Sequence, residues 1–159
     1  MPVTVLCLGK LRERFYADAA AEYGKRLSRL MPVTIVELPD EKEPDNPSPA
    51  LCRQVIEKEG ERILSKISAG DHVIALCVEA PQPASEELAK KIQALFTGGK
   101  SRIVFVIGGS LGLSPAVLQR ADEHMGMSRM TLPHQLCRVV LLEQLFRAAK
   151  INAGERYHK

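Results

Sequence analysis

Three places in this sequence bring together residue types that can do chemistry. Tyr157, His158 and Lys159, in the closing "GERYHK", set a phenol, an imidazole and an ammonium side by side. Those types can grip a polar ring and exchange a proton near neutrality. The plainer alternative is a frayed tail, because terminal residues are ordinarily poorly held. The second place is Arg138, inside the otherwise apolar "LCRVVLLEQLF". At about 100° per residue, Glu143, Gln144, Arg147 and Lys150 gather on one side of a helix there. Arg138 falls almost opposite them, among Leu142, Leu145 and Ala149. A guanidinium on an apolar stripe needs an anionic or carbonyl partner, so Arg138 is one half of a buried structural pair, a snorkelling end residue or a binding group.

The third place is "GGSLGLS" at 108–114, directly after an apolar run. Glycines beyond the carboxyl end of a strand let a ligand approach the backbone. No GxGxxG can be laid on this stretch, and no Gly-Lys-Ser/Thr follows, so neither a dinucleotide fingerprint nor a phosphate loop is present. Such a turn suits a ligand bound through backbone groups rather than phosphates; it also serves as an ordinary tight turn into a helix. "LPHQ" at 132–135 places His134 after a proline-fixed turn, as a polar site residue or a structural one. His72 and His124 have no partners at metal-ligand spacing, and Cys7, Cys52, Cys77 and Cys137 are too far apart for a zinc knuckle or a redox pair. No Ser/His/Asp set or paired-carboxylate pattern supports hydrolysis.

The elements that must hold these groups alternate between strand and helix. "VTVLCLG" (3–9), "VTIVEL" (33–38), "HVIALCV" (72–78), "RIVFVI" (102–107) and a weaker "MSRMTL" (127–132) read as strands. Between them run helical segments: 11–30 with Phe15, Ala19, Tyr23, Leu27 and Leu30 on one stripe and a basic exposed side, Ser48-Pro49 to about Ala69, one capped by Ser85 and ending at Gly98-Gly99, and Ser114-Pro115 to about His124. The last helix covers 136–150. This alternation predicts an α/β fold with a mainly parallel sheet flanked by helices, in a single domain over 1–159. The proline-rich 39–49 is a surface loop. Apolar residues surround so much of the last helix that a subunit interface is expected, hence a homodimer.

Bulk properties narrow the classes. Only 4% of residues are aromatic, so the core must be aliphatic. A net charge of +3 permits a nucleic-acid partner without arguing for one. The apolar run in "MPVTVLCLGK" is too short for a signal peptide or a membrane span, and scattered cysteines fit a reducing cytoplasm.

In order along the chain, "LGKLRERF", "EKEGERIL" (57–64), "FVIGGSLGLS" (105–114), "SRMTLPHQLCRVVLLEQLFRA" (128–148) and the closing "YHK" resemble the ribosomal RNA large subunit methyltransferase H family of the SPOUT superfamily. The resemblance implies an α/β-knot fold with a deep C-terminal trefoil knot, S-adenosylmethionine bound within it, no metal, and a homodimer. It further implies N3-methylation of a pseudouridine in 23S rRNA on assembled ribosomes in the cytoplasm, with neither DNA nor a membrane as partner. Carried over by position, Leu76, Gly108, Met127, Ser128, Arg129, Met130, Thr131 and Leu132 are expected at the cofactor. Arg138, Tyr157, His158 and Lys159 are expected at the target base, with the proton acceptor left open. Two other readings stand beside this one: a non-catalytic ribosome-associated RNA-binding protein, and an α/β protein binding a nucleotide phosphate, which the missing phosphate motifs disfavour.

Overall fold

A computed structural model describes all residues 1–159. The chain runs β1 (Val3–Leu8), α1 (Arg14–Leu27), β2 (Val33–Leu38), α2 (Pro49–Leu64), β3 (Asp71–Leu76), α3 (Ser85–Thr97), β4 (Arg102–Ile107), α4 (Pro115–Arg120), β5 (Glu123–Met125) and α5 (His134–Asn152). The five strands form one all-parallel sheet in the order β2-β1-β4-β3-β5. Parallel strands need helical crossovers, and these cover both faces. Alternate residues part to the two sides. Val3, Val5 and Cys7 of β1 with Ile103, Phe105 and Ile107 of β4 meet α1, α3 and α5. Leu6, Leu8, Val104 and Val106 meet Ile63 of α2 and Val117 of α4. The result is the expected α/β architecture in three layers.

Several expected boundaries move. Residues 127–132 are not a strand; the last strand is the three-residue β5, just before Gly126. The Ser128 hydroxyl accepts the N–H of Met130 at 3.0 Å, a local turn that competes with a sheet ladder. Helix α4 ends at Arg120 rather than His124, since Ala121 is extended, with ψ 132°. Helix α2 ends at Leu64, well before Ala69. Ser85 is the first helical residue of α3 rather than its cap, and its hydroxyl donates to Gln144 Oε1 at 2.7 Å, tying α3 to α5. Helix α1 is shorter at both ends than 11–30, and its inward stripe carries Ala20 and Leu27. Phe15, placed on that stripe from the sequence, is instead 63% exposed, its ring beside Tyr16 at 4.4 Å. His134 opens α5 rather than lying in a loop.

Polar contacts of charged side chains pin β3 to its neighbours β4 and β5. Asp71 meets Arg102 at 2.6 Å, Asp122 accepts the Val73 N–H at 2.8 Å, and Glu123 holds His72 at 2.7 Å and Lys91 besides. His72 is therefore structural, as is His124, whose Nε2 meets the Leu118 carbonyl at 2.9 Å. Burial raises the carboxyl pKa values of Asp71, Asp122 and Glu123. The bonds from Arg102, the Val73 N–H, Lys91 and His72 outweigh that and leave all three lowered. Groups depressed in the folded state contribute fully above their unfolded pKa, and that contribution is lost as pH falls through the folded values. Denaturant unfolding should therefore give a flat stability from neutrality down to about pH 5 and a steep fall below about pH 4. Asp71→Asn should be less stable at neutrality and fall less in acid. An identical acid slope in that variant would remove Asp71 from the account.

Candidate functional site

The connections after β3 and β4 leave towards opposite faces of the sheet, α3 on one and α4 on the other. Neighbouring strands that part in this way open a crevice at their carboxyl ends. A cavity of about 860 Å³ lies there. Its walls are the end of β3 with the turn after it (Leu76 to Glu79), the glycine turn after β4, the segment 127–132, and the first turn of α5 with Pro133, His134 and Cys137.

The glycine turn is built to be tight. The Gly112 N–H donates to the Gly109 carbonyl at 3.1 Å, and Gly112 holds φ +88°, a region open to glycine. A Cβ on Gly108 would lie 3.0 Å from Leu113 Cδ2 and 3.1 Å from the Gly112 carbonyl carbon, so the backbone is pressed against its own turn. Ser114 then accepts the Val117 N–H at 3.2 Å and starts α4. Glu59 is buried behind the turn and accepts the Glu41 N–H at 3.1 Å; burial pushes its carboxyl up.

The cavity's charge is informative. No lysine or arginine lines it, and Glu79 is its one carboxylate. Such a lining gives a phosphate no lysine or arginine to pair with and suits a ligand bearing positive charge. Cys77 and Cys137 also line it, and burial raises both thiols. They stay protonated at neutrality, so no thiolate nucleophile faces the cavity. The N-terminal turn of α5 ends at the cavity wall, offering backbone N–H groups to a ligand's anionic end. No group of three or more His, Cys, Asp and Glu side chains is placed to hold a metal, and no helix is long and apolar enough to cross a membrane.

Of the residues expected at the cofactor, Leu76, Gly108 and five of the six in 127–132 line this one cavity; Arg129 does not and is exposed. Sequence reading missed Cys77, Glu79 and Cys137. The signal available for the last was its place one residue before Arg138, on the first turn of the same helix.

The residues expected at the target base sit elsewhere in the chain. Arg138 turns away from the cavity to the ends of β1 and β2, where Nη1 meets Glu37 Oε2 at 2.6 Å and Nη2 donates to the Gly9 carbonyl at 2.9 Å. Both partner types anticipated for it are present. The tail is not frayed. Tyr157 packs edge-on against Phe146, with ring centroids 4.9 Å apart, and its hydroxyl donates to Glu143 Oε1 at 3.2 Å. Arg147 lies over the Tyr157 ring, and His158 Nε2 meets Glu86 Oε1 at 2.7 Å. Lys159 is exposed. None of the four lines the cavity. Arg147 is ten residues beyond Cys137 along α5, a rise of about 15 Å, so the tail docks well away from the pocket of its own chain.

The sequence of residues 1–158 matches a family described as predicted SPOUT methyltransferases. Proteins called ribosomal RNA large subunit methyltransferase H are 54% identical to this chain over 159 residues and 100% of both lengths, in Bacillus cytotoxicus and in Bacillus thuringiensis strain Al Hakam. A solved structure of a probable methylase family protein from Haemophilus influenzae Rd KW20 shares the fold at 14% identity, with a TM-score of 0.54 over 99% of this chain and 70% of that one.

Proposed function

The chain belongs to the SPOUT methyltransferase family, and from that premise we propose that it methylates N3 of a pseudouridine in 23S rRNA on assembled ribosomes, using S-adenosylmethionine. The observation that carries this reading is the single cavity that gathers Leu76, Gly108 and most of 127–132 without one cationic side chain. Its volume, its glycine wall and its lone carboxylate fit a sulfonium-bearing cofactor with no phosphates. When bound, that cofactor supplies an already activated methyl group. The protein's own task is then to align, to keep water and stray nucleophiles away, and to manage one proton. The glycine turn and the cavity-lining residues of 127–132 would hold the cofactor, while the Cys77 and Cys137 thiols, raised by burial and so protonated, would not compete for the methyl. Arg138, tied to Glu37 and the Gly9 carbonyl and turned from its own chain's cavity, would have to exchange those bonds to meet carbonyl oxygens of the target base as negative charge develops there. Tyr157, His158 and Lys159 close over that base, and His158 either takes the N3 proton or positions the ring.

The distance along α5 between tail and cavity supports a homodimer in which one chain's tail completes its partner's site. The girth of α5 supports it less than the sequence suggested, because α1, α3 and the sheet cover most of that apolar surface within one chain. The passage of the chain around the cavity, from the glycine turn through 127–132 into α5, is where the trefoil knot lies in this reading. Ribosomes place the enzyme in the cytoplasm. A non-catalytic RNA-binding protein would need no such cavity.

The test is incubation with methyl-labelled S-adenosylmethionine and ribosomes from a strain lacking this protein, followed by mapping of the modified nucleotide. Label on N3 of one large-subunit pseudouridine is expected. Label elsewhere, or none together with absent cofactor binding in a calorimeter, overturns the reading.

A further inference from the structure

Helix α2 covers the face of the sheet away from α5, and two adjacent residues of it meet the glycine turn from behind. Glu59 is only 4% exposed although it carries a carboxylate. Its Oε1 and Oε2 lie 3.1 and 3.2 Å from where a Cβ on Gly109 would stand, so the carboxylate rests against the back of that residue. Gly109 does not sit at positive φ, so it is glycine for room rather than for backbone freedom. Gly60 meets the far end of the turn. A Cβ there would lie 2.3 Å from Ser114 Oγ and 2.9 Å from Ser114 Cβ. Ser114 is held in place, because its hydroxyl accepts the Val117 N–H at 3.2 Å and caps α4. Between these two supports, Gly108, Gly109, Ser110, Gly112 and Leu113 line the cavity. A side chain that only filled space behind a turn would be apolar, since burying a carboxylate is costly. What a carboxylate adds is an acceptor that can be tied down. Glu59 Oε2 accepts the Glu41 N–H at 3.1 Å. Arg62, three residues further along α2, pairs with the Glu41 carboxylate and donates from Nη1 to the Pro39 carbonyl at 2.9 Å. The stop behind Gly109 is thus fixed from α2 and from 39–41 together.

We propose that Glu59 is a positioning residue of the cofactor site: its tethered carboxylate sets how far the glycine turn can fall back from the cavity, and so fixes the wall against which S-adenosylmethionine is held. This rests on the reading of the cavity as the cofactor site given above. Glu59 acts through Gly109 and does not itself line the cavity. A binding wall made of backbone has no side chains of its own to lock it, so its placement depends on what is packed behind it.

The experiment measures S-adenosylmethionine affinity by calorimetry, and thermal unfolding, on the full chain. It compares wild type, Glu59→Ala, Glu59→Gln, Gly109→Ala, the Glu59→Ala/Gly109→Ala double variant and Ile92→Val. Glu59→Ala should weaken cofactor affinity about tenfold, because the turn loses its stop. Glu59→Gln keeps the shape and the acceptor for Glu41, and should stay within about threefold of wild type. Gly109→Ala should also cost about tenfold, because the added methyl meets the carboxylate and drives the turn forward. The double variant should return to within about threefold of wild type, since the methyl enters the space that the carboxylate left. Ile92→Val removes a buried methyl from the opposite core cluster, so it should lower the melting temperature and spare affinity. A Glu59→Ala variant that behaves in the same way as Ile92→Val overturns the inference, as do losses that multiply in the double variant. A Glu59→Gln variant as weak as Glu59→Ala overturns it too, because shape and tether would then not be what matters. Should Glu59→Ala not fold, Gly109→Ala carries the test: unchanged affinity with Glu59 in place means that the turn is not set by this contact. Absence of S-adenosylmethionine binding in the wild type refutes the reading of the cavity first and this inference with it.

Discussion

Removing Tyr157, His158 and Lys159 is expected to leave a folded protein that binds S-adenosylmethionine and no longer transfers its methyl group. The fold survives because the tail lies outside the sheet and both core clusters; only the Tyr157 ring reaches in, onto Phe146. Losing that edge-on contact and the hydroxyl bond to Glu143 should cost about 1–2 kcal/mol. Cofactor binding survives because no tail residue lines the cavity. Activity does not, because the residues that would cover and orient the target base are gone, and lost alignment of this kind costs about a hundredfold or more. The measurement is label transfer to ribosomes beside a melting curve and a calorimetric titration on the same preparation. If more than half the activity remains, the docked tail is a structural strap and nothing else. Mixing the truncated chain with Arg138→Ala chains adds a further reading of the same question. Recovery of activity in the mixture would show that tail and arginine are supplied to one site by different subunits.

The second large effect is expected from a single methyl group. Gly126 links β5 to 127–132, and a Cβ there would lie 2.5 Å from the Ala80 carbonyl oxygen, 3.1 Å from Gln82 Cγ and 3.3 Å from the Cys77 carbonyl oxygen. Two of those three are backbone, so they cannot turn aside as a side chain would. The approach is fixed by hydrogen bonds on both sides of it: Gly126 N–H to the Pro81 carbonyl at 2.9 Å, and Cys77 N–H to the Met125 carbonyl at 2.9 Å. Gly126→Ala must therefore push 77–82 away from 125–127, and those segments lead into two opposing walls of the cavity. A destabilisation of about 1–3 kcal/mol is expected from overpacking. A fall in S-adenosylmethionine affinity of about a hundredfold should accompany it, on the 1.4 kcal/mol-per-decade scale. The matched control is Gly24→Ala in α1, where nothing lies within 4 Å of the added carbon and helix propensity favours alanine. Cofactor affinity unchanged in Gly126→Ala would mean that the two walls move independently of this contact.

Much of the scaffold was legible because its signals are local. Four of the five strands are mainly apolar, as a parallel sheet covered on both faces demands. Ser48-Pro49 and Ser114-Pro115 announce α2 and α4, and the structure shows both serines accepting the expected backbone N–H. The glycine turn could be read as a ligand-facing bend or an ordinary tight turn, and the absence of a phosphate motif already disfavoured one class of ligand. The fifth strand was misplaced because it is three residues long and two of them, Glu123 and His124, are polar; its pairing with β3 is helped by Asp122, Glu123 and His72, which no hydrophobic pattern reports.

The sequence alone determined that Arg138 required a partner, since a charge inside an apolar stripe is untenable unpaired. Only the tertiary structure decided which: Glu37 and the Gly9 carbonyl, 101 and 129 residues away along the chain. The same division holds for the tail, whose residue types proposed chemistry while their anchoring on Phe146, Glu143 and Glu86 placed them apart from their own cavity. Periodicity and caps are set by interactions within a few residues, so they are written in the order of the amino acids. Ion pairs between distant elements, the convergence of β3, β4 and 127–132 on one cavity, and the separation of tail from pocket depend on how the sheet is ordered and how α5 crosses it, and that order exists only once the chain has folded.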